Sequence, residues 1–177
     1  MSKEYVTGDV IIGQEEIERR AVEIGRQISA DFAGEEVTLI GILRGAVLWM
    51  SQILKSIDLV TNIDFMAVSS YGASTTSSGV VKINKDLDCS IVGKNVVVVE
   101  DIVDSGVTLN YLKTYLLGME PKAFRICTLL DKPSGRQAPI DVDYVGFEVE
   151  DVFIVGYGLD VNQKYRNLPY ITSVTEA

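Results

Sequence analysis

An α/β fold, a mostly parallel open sheet flanked by helices with a small C-terminal hood, is what the 177-residue sequence predicts. Three observations carry that expectation. Short β-branched apolar runs alternate with segments of helical periodicity, the order expected of a sheet with crossover helices. The run Val96-Val97-Val98-Val99 is apolar at every position, as in a strand buried on both faces. Beyond Pro133 the segments become short and β-like with no long helix, so the tail reads as a cap on the sheet.

The elements follow in order. Ile17, Ala21, Ile24, Ile28 and Phe32 recur at spacings of three and four between charged residues, which predicts an amphipathic helix from Gln14 to Phe32 that ends near Gly34. Val37 to Ile42 is a β-branched apolar strand. Leu43-Arg44-Gly45 makes a tight turn, and Ala46 to Lys55 continues as helix. A strand fits Ile63 to Ser69, and the small polar stretch Tyr71 to Gly79 reads as a loop. The valine strand leads to a helix over Leu109 to Leu117, and Ala123 to Leu130 supplies another strand. Short β pieces are expected around Val142 to Val149 and Phe153 to Tyr157. No linker or internal repeat divides the chain, so one domain over 1–177 is expected, with a core of about 36–131 and a hood from 132–177.

Composition excludes several classes of chemistry. There is no histidine, which removes any imidazole base and leaves proton transfer to carboxylate, lysine, tyrosine or thiol. Cys89 and Cys127 lie far apart and in no Cys/His cluster, so neither a disulfide framework nor a zinc site is indicated, and reduced thiols in a cytoplasmic protein fit. A net charge of −9 opposes binding to nucleic acid, and no uncharged stretch is long enough to span a bilayer. An anionic ligand would need local help from a metal or from backbone amides.

The segment Val96 to Leu109 offers such help. After the strand come two carboxylates, Glu100 and Asp101, and then the small-residue loop Asp104-Ser105-Gly106-Val107-Thr108 opening a helix. Backbone N–H groups and hydroxyls of that loop suit a dianionic phosphate at a helix N-terminus, and Gly106 keeps the approach clear. The acidic pair suits the hydroxyls of a vicinal diol, directly or through a metal. In a lone Asp-Ser-Gly, the aspartate or serine would read as a helix cap.

This segment resembles the phosphoribosyl pyrophosphate signature of the type I phosphoribosyltransferases, and its Glu100 to Gly106 wording resembles the hypoxanthine-guanine branch. The resemblance extends over nearly the whole chain. It implies the type I fold and transfer of a phosphoribosyl group from phosphoribosyl pyrophosphate to hypoxanthine or guanine, giving IMP or GMP and pyrophosphate with Mg²⁺. Gly41 to Gly45 resembles the family's pyrophosphate loop, implying a cis peptide before Arg44 and pyrophosphate contacts from Leu43, Arg44 and Gly45. Lysine is common where this chain has Arg44. Ser70 and Tyr71 resemble the leading pair of a catalytic loop.

The resemblance also implies that Lys132 donates to the purine's exocyclic oxygen, that Phe153 stacks on the ring and that the Ile154 main chain bonds the base edge. Asp160, also at the base end, then binds a second magnesium apart from the metal carboxylates Glu100 and Asp101, Arg166 reaches pyrophosphate, and Asp104 exchanges the purine proton. A homodimer or homotetramer is expected, with neither nucleic acid nor membrane as partner. A xanthine-preferring enzyme and a phosphoribosyl-pyrophosphate-sensing regulator are the alternatives.

Overall fold

The computed structural model describes residues 4–70 and 81–176. Six strands form the large sheet. β2 (Val37–Leu43), β3 (Thr61–Ser70), β5 (Asn95–Val103), β6 (Ala123–Asp131) and β7 (Tyr144–Glu148) are parallel, and β4 (Val81–Lys85) is antiparallel on the edge beside β3. Their order is β4-β3-β2-β5-β6-β7. The small sheet is antiparallel, β1 (Tyr5–Ile12) pairing with β9 (Ile171–Glu176) and β9 with β8 (Ile154–Val155).

Strand alternation divides the core between the two faces of the large sheet. Leu39, Val97, Val99 and Leu129 face α1 (Gln14–Asp31) and α2 (Val47–Leu54), whose Ile17, Ile24, Ile28, Trp49 and Ile53 are fully buried against them. Ile40, Ile42, Val96, Val98 and Ile126 face α3 (Val107–Leu117), through Leu109, Leu112 and Leu116. The valine run is apolar throughout because helices cover both of its sides. Burying one such side chain contributes roughly 1.5–3 kcal/mol.

Helix and strand boundaries agree with the sequence expectations to within about two residues, except that β5 runs four residues past Val99 to Val103 and takes in Glu100 and Asp101. Three strands were not foreseen: β1, β4 and β9. The small sheet draws β1 from before α1, whereas β7, from within 132–177, pairs with β6 in the large sheet. Among the described residues no helix is long and apolar enough to cross a membrane. Tyr71 and the expected loop to Gly79 lie outside the described residues, and Ser70 ends β3.

Candidate functional site

β2 leads through α2 to β3 on one side, while its neighbour β5 leads through α3 to β6 on the other. Chains leaving adjacent strands in opposite directions open a crevice at their carboxyl ends, where open α/β sheets take ligands. The Leu43-Arg44-Gly45 turn and the Asp104-Ser105-Gly106 loop both emerge there. The Leu43–Arg44 peptide is cis, as expected.

Gly106 is the N-cap of α3, at φ 77° and with no side-chain cap. A Cβ there would stand 2.7 Å from the Ala138 carbonyl oxygen, so only glycine fits both the left-handed backbone and the space. The loop is braced from behind, because Gln137 and Ala138 N–H groups donate to the Ser105 carbonyl at 2.9 and 3.0 Å. The cap position is Gly106 rather than Asp104, and Ser105 Oγ accepts from the Val107 N–H at 3.4 Å. Gly106, Thr108 and Leu109 at the start of α3 line a pocket of about 180 Å³ together with Glu100, Asp104 and Ser105. Val107 is half-buried and Asp104 is exposed, with its Oδ1 close against Gly135.

Glu100 and Asp101 lie near the end of β5, Glu100 buried and Asp101 partly buried. Burial, and then Asp101 beside it, pushes the Glu100 carboxyl well above its ordinary pKa. Burial also raises Asp101, against the hydrogen bonds it receives from the Ile102 and Asp101 N–H groups and the pull of Arg166. Gly45 makes room for Asp101: a Cβ on Gly45 would fall 1.6 Å from its Oδ2. A Cβ on Gly158 would fall 2.0 Å from the Gly45 carbonyl. Three loops thus meet where side chains cannot be added.

A second pocket, about 220 Å³, adjoins the first through Ile102 and Asp104 and is lined by Asp101, Lys132, Phe153, Ile154 and Asp160. Lys132 is only 5% exposed, and its Nζ donates to the Val152 carbonyl at 2.7 Å, with Asp151 at 3.6 Å. Phe153 is 57% exposed at the pocket's rim, a position with no core role, while Ile154 is buried at the start of β8.

Opposite lies a closed polar cluster. Arg166 pairs with Asp160 at 2.6 Å and donates to the Gly158 carbonyl at 2.7 Å. The Gln163 N–H donates to Asp160 Oδ2 at 2.7 Å, and Arg44 donates to Gln163 Oε1 at 2.8 Å. Both Asp160 oxygens are thereby occupied. Among the described residues, no three acidic, cysteine or histidine side chains come together as metal ligands. Sequence reasoning missed Gln163, Gly158 and Gly135; nothing in their local hydropathy marks them, and only the folded contacts do.

The profile of the phosphoribosyl transferase domain matches residues 11–162. The hypoxanthine-guanine phosphoribosyltransferase of Bacillus subtilis is 51% identical over 92% of this chain and 90% of its own. That of Mycobacterium avium is 47% identical over 92% and 83%. The crystal structure of a hypoxanthine-guanine phosphoribosyltransferase from Bacillus anthracis superposes with a TM-score of 0.91 at 44% identity, over 97% of this chain and 99% of that one. With a matching domain, matching sequences and a shared fold, the chain belongs to the phosphoribosyl transferase domain family.

Proposed function

We propose that this chain is a purine-salvage enzyme that joins hypoxanthine or guanine to the ribose of phosphoribosyl pyrophosphate, releasing pyrophosphate and IMP or GMP. The observation that carries the base choice is Lys132. It is a buried ammonium at the pocket wall, holding one carbonyl at hydrogen-bond distance and keeping other N–H donors for a ligand oxygen. An exocyclic oxygen at C6 meets that donor, whereas adenine's amino group would leave it unpaired. The exposed face of Phe153 gives the purine ring a stacking surface beside it. The names of the close relatives point to the same substrates. They lend nothing to a xanthine-preferring enzyme or to a regulator.

The phosphate loop, Asp104 to Thr108, takes the 5′-phosphate on the first-turn N–H groups of α3. Leu43, Arg44, Gly45 and Arg166 take the pyrophosphate. Purine N9 attacks the anomeric carbon as the bond to the pyrophosphate oxygen breaks, and Asp104, where the two pockets meet, takes up the proton from the purine. Burial disfavours the anionic form of Glu100 and Asp101, and a hard cation on their carboxylate oxygens would offset that cost. Mg²⁺ held there would neutralise the departing pyrophosphate. Asp160, paired here with Arg166, would hold a second cation.

The test is pyrophosphate release with hypoxanthine, guanine, xanthine and adenine, for the parent and for Lys132→Met. The parent should turn over hypoxanthine and guanine well. The variant should lose about 10- to 100-fold on both, the worth of a hydrogen bond from a charged donor, and should narrow their lead over adenine. Equal kinetics for parent and variant would remove Lys132 from the reading.

A further inference from the structure

Gln163 sits on the tight loop between Asp160 and Arg166, is exposed, and contacts Arg44, Asp160 and Arg166. Its Oε1 accepts from Arg44 Nη1 at 2.8 Å, across 119 residues of sequence, and lies 3.4 Å from Arg166 Nη2. Its N–H donates to Asp160 Oδ2 at 2.7 Å, while Arg166 holds Oδ1. Asn162 and Gln163 have φ of 52° and 65°, a region that non-glycine residues keep only where their surroundings impose it. The amide oxygen is the chemically apt group for this place. It draws two guanidinium groups together without cancelling their charge, whereas a carboxylate would compete with an incoming oxyanion.

We propose that Gln163 is a positioning residue for the pyrophosphate end of the substrate: its side-chain oxygen holds Arg44 and Arg166 side by side, and its N–H holds Asp160 against Arg166. The proposal rests on the transferase reading above and adds the residue that arranges the cationic side of that site. It acts through its neighbours and touches no reacting atom.

Gln163→Met keeps the chain length and the β-carbon, and so the backbone demand, but removes the acceptor. Calorimetric titration with magnesium pyrophosphate should show roughly 2- to 10-fold weaker binding, the worth of one ordinary hydrogen bond. The KM for phosphoribosyl pyrophosphate should rise by the same factor, with kcat, IMP affinity and thermal midpoint unchanged. In an Arg44→Met background the added effect of Gln163→Met should shrink, because the pair it joins is already broken. Unaltered pyrophosphate binding in the variant would overturn the proposal. So would parallel losses of IMP affinity and thermal midpoint, the mark of a merely structural residue, or full additivity with Arg44→Met. Failure of the parent to release pyrophosphate with any purine would instead sink the transferase reading, and that assay comes first.

Discussion

The two ends of the crevice await a ligand in opposite conditions. At the start of α3, Gly106, Thr108 and Leu109 line a pocket, and the loop that carries them is braced from behind through the Ser105 carbonyl. Across the crevice, Arg166, Asp160, Gln163 and Arg44 satisfy one another. An oxyanion at the first end only replaces water on donors already in place. One that reaches Arg166 must replace a carboxylate, so rearrangement is concentrated at the second end. The acids Glu100 and Asp101 lie between, disfavoured as anions until a cation arrives.

The largest effect should come from Asp104→Asn. Asp104 is exposed and does not cap α3, so the braced end should keep its shape, its phosphate affinity and its thermal midpoint. Single-turnover rate should nevertheless fall by about 10² to 10⁴, the span for loss of a general acid or base. Rate and affinity for phosphoribosyl pyrophosphate falling together would make Asp104 a part of the phosphate end only.

Gly45→Ala tests the close packing between the ends. Its Cβ would collide with Asp101, and a displacement of about 1 Å near a reacting centre costs on the order of 10²-fold in kcat/KM. Gly93→Ala is the control. Gly93 also has a positive φ (69°) but open space around it, so its variant should lose about 1 kcal/mol of stability and no rate. Similar kinetics for both variants would mean that the contact with Asp101 has no role in turnover.

The smallest effect is a pH dependence. Glu100 in the folded chain holds its proton above the ordinary value of 4.5, so over that interval the native state binds more protons than the unfolded one. Stability from this group is complete below about 4.5 and is lost as pH rises through the raised folded value. Glu100→Gln should therefore melt higher than the parent at pH 8, with the gap closing toward pH 4. Mg²⁺ should raise the parent's midpoint at pH 8 more than the variant's. A variant that melts lower than the parent at pH 8 would show that the carboxylate is already compensated.

How much of this was legible depends on which residues are asked. The helix of Ile17, Ile24 and Ile28 and the valine strand could be read because burial on a covered face imposes a period on the sequence. β1 could not, because all but one of its residues are partly or fully exposed and its partner β9 lies at the other end of the chain. Lys132 and Phe153 were legible as positions only by family resemblance. Composition favours a solvated lysine and a core phenylalanine, and the fold inverts both, burying the ammonium to 5% exposure and leaving the ring 57% exposed.

By itself the sequence determined the alternation of strands and helices, the absence of imidazole chemistry and the acidic strand end that runs into a glycine-bearing loop. These are local properties, written in periodicity and residue type. Tertiary structure alone decided which strands make the small sheet, that Gly106 rather than Asp104 caps α3, that Gly45 must be small because Asp101 lies against it, and that Gln163 joins Arg44 to Arg166. Each of those depends on groups distant in sequence coming within a few ångströms, and no local pattern encodes such proximity because the energy that fixes it is shared among contacts from several elements at once.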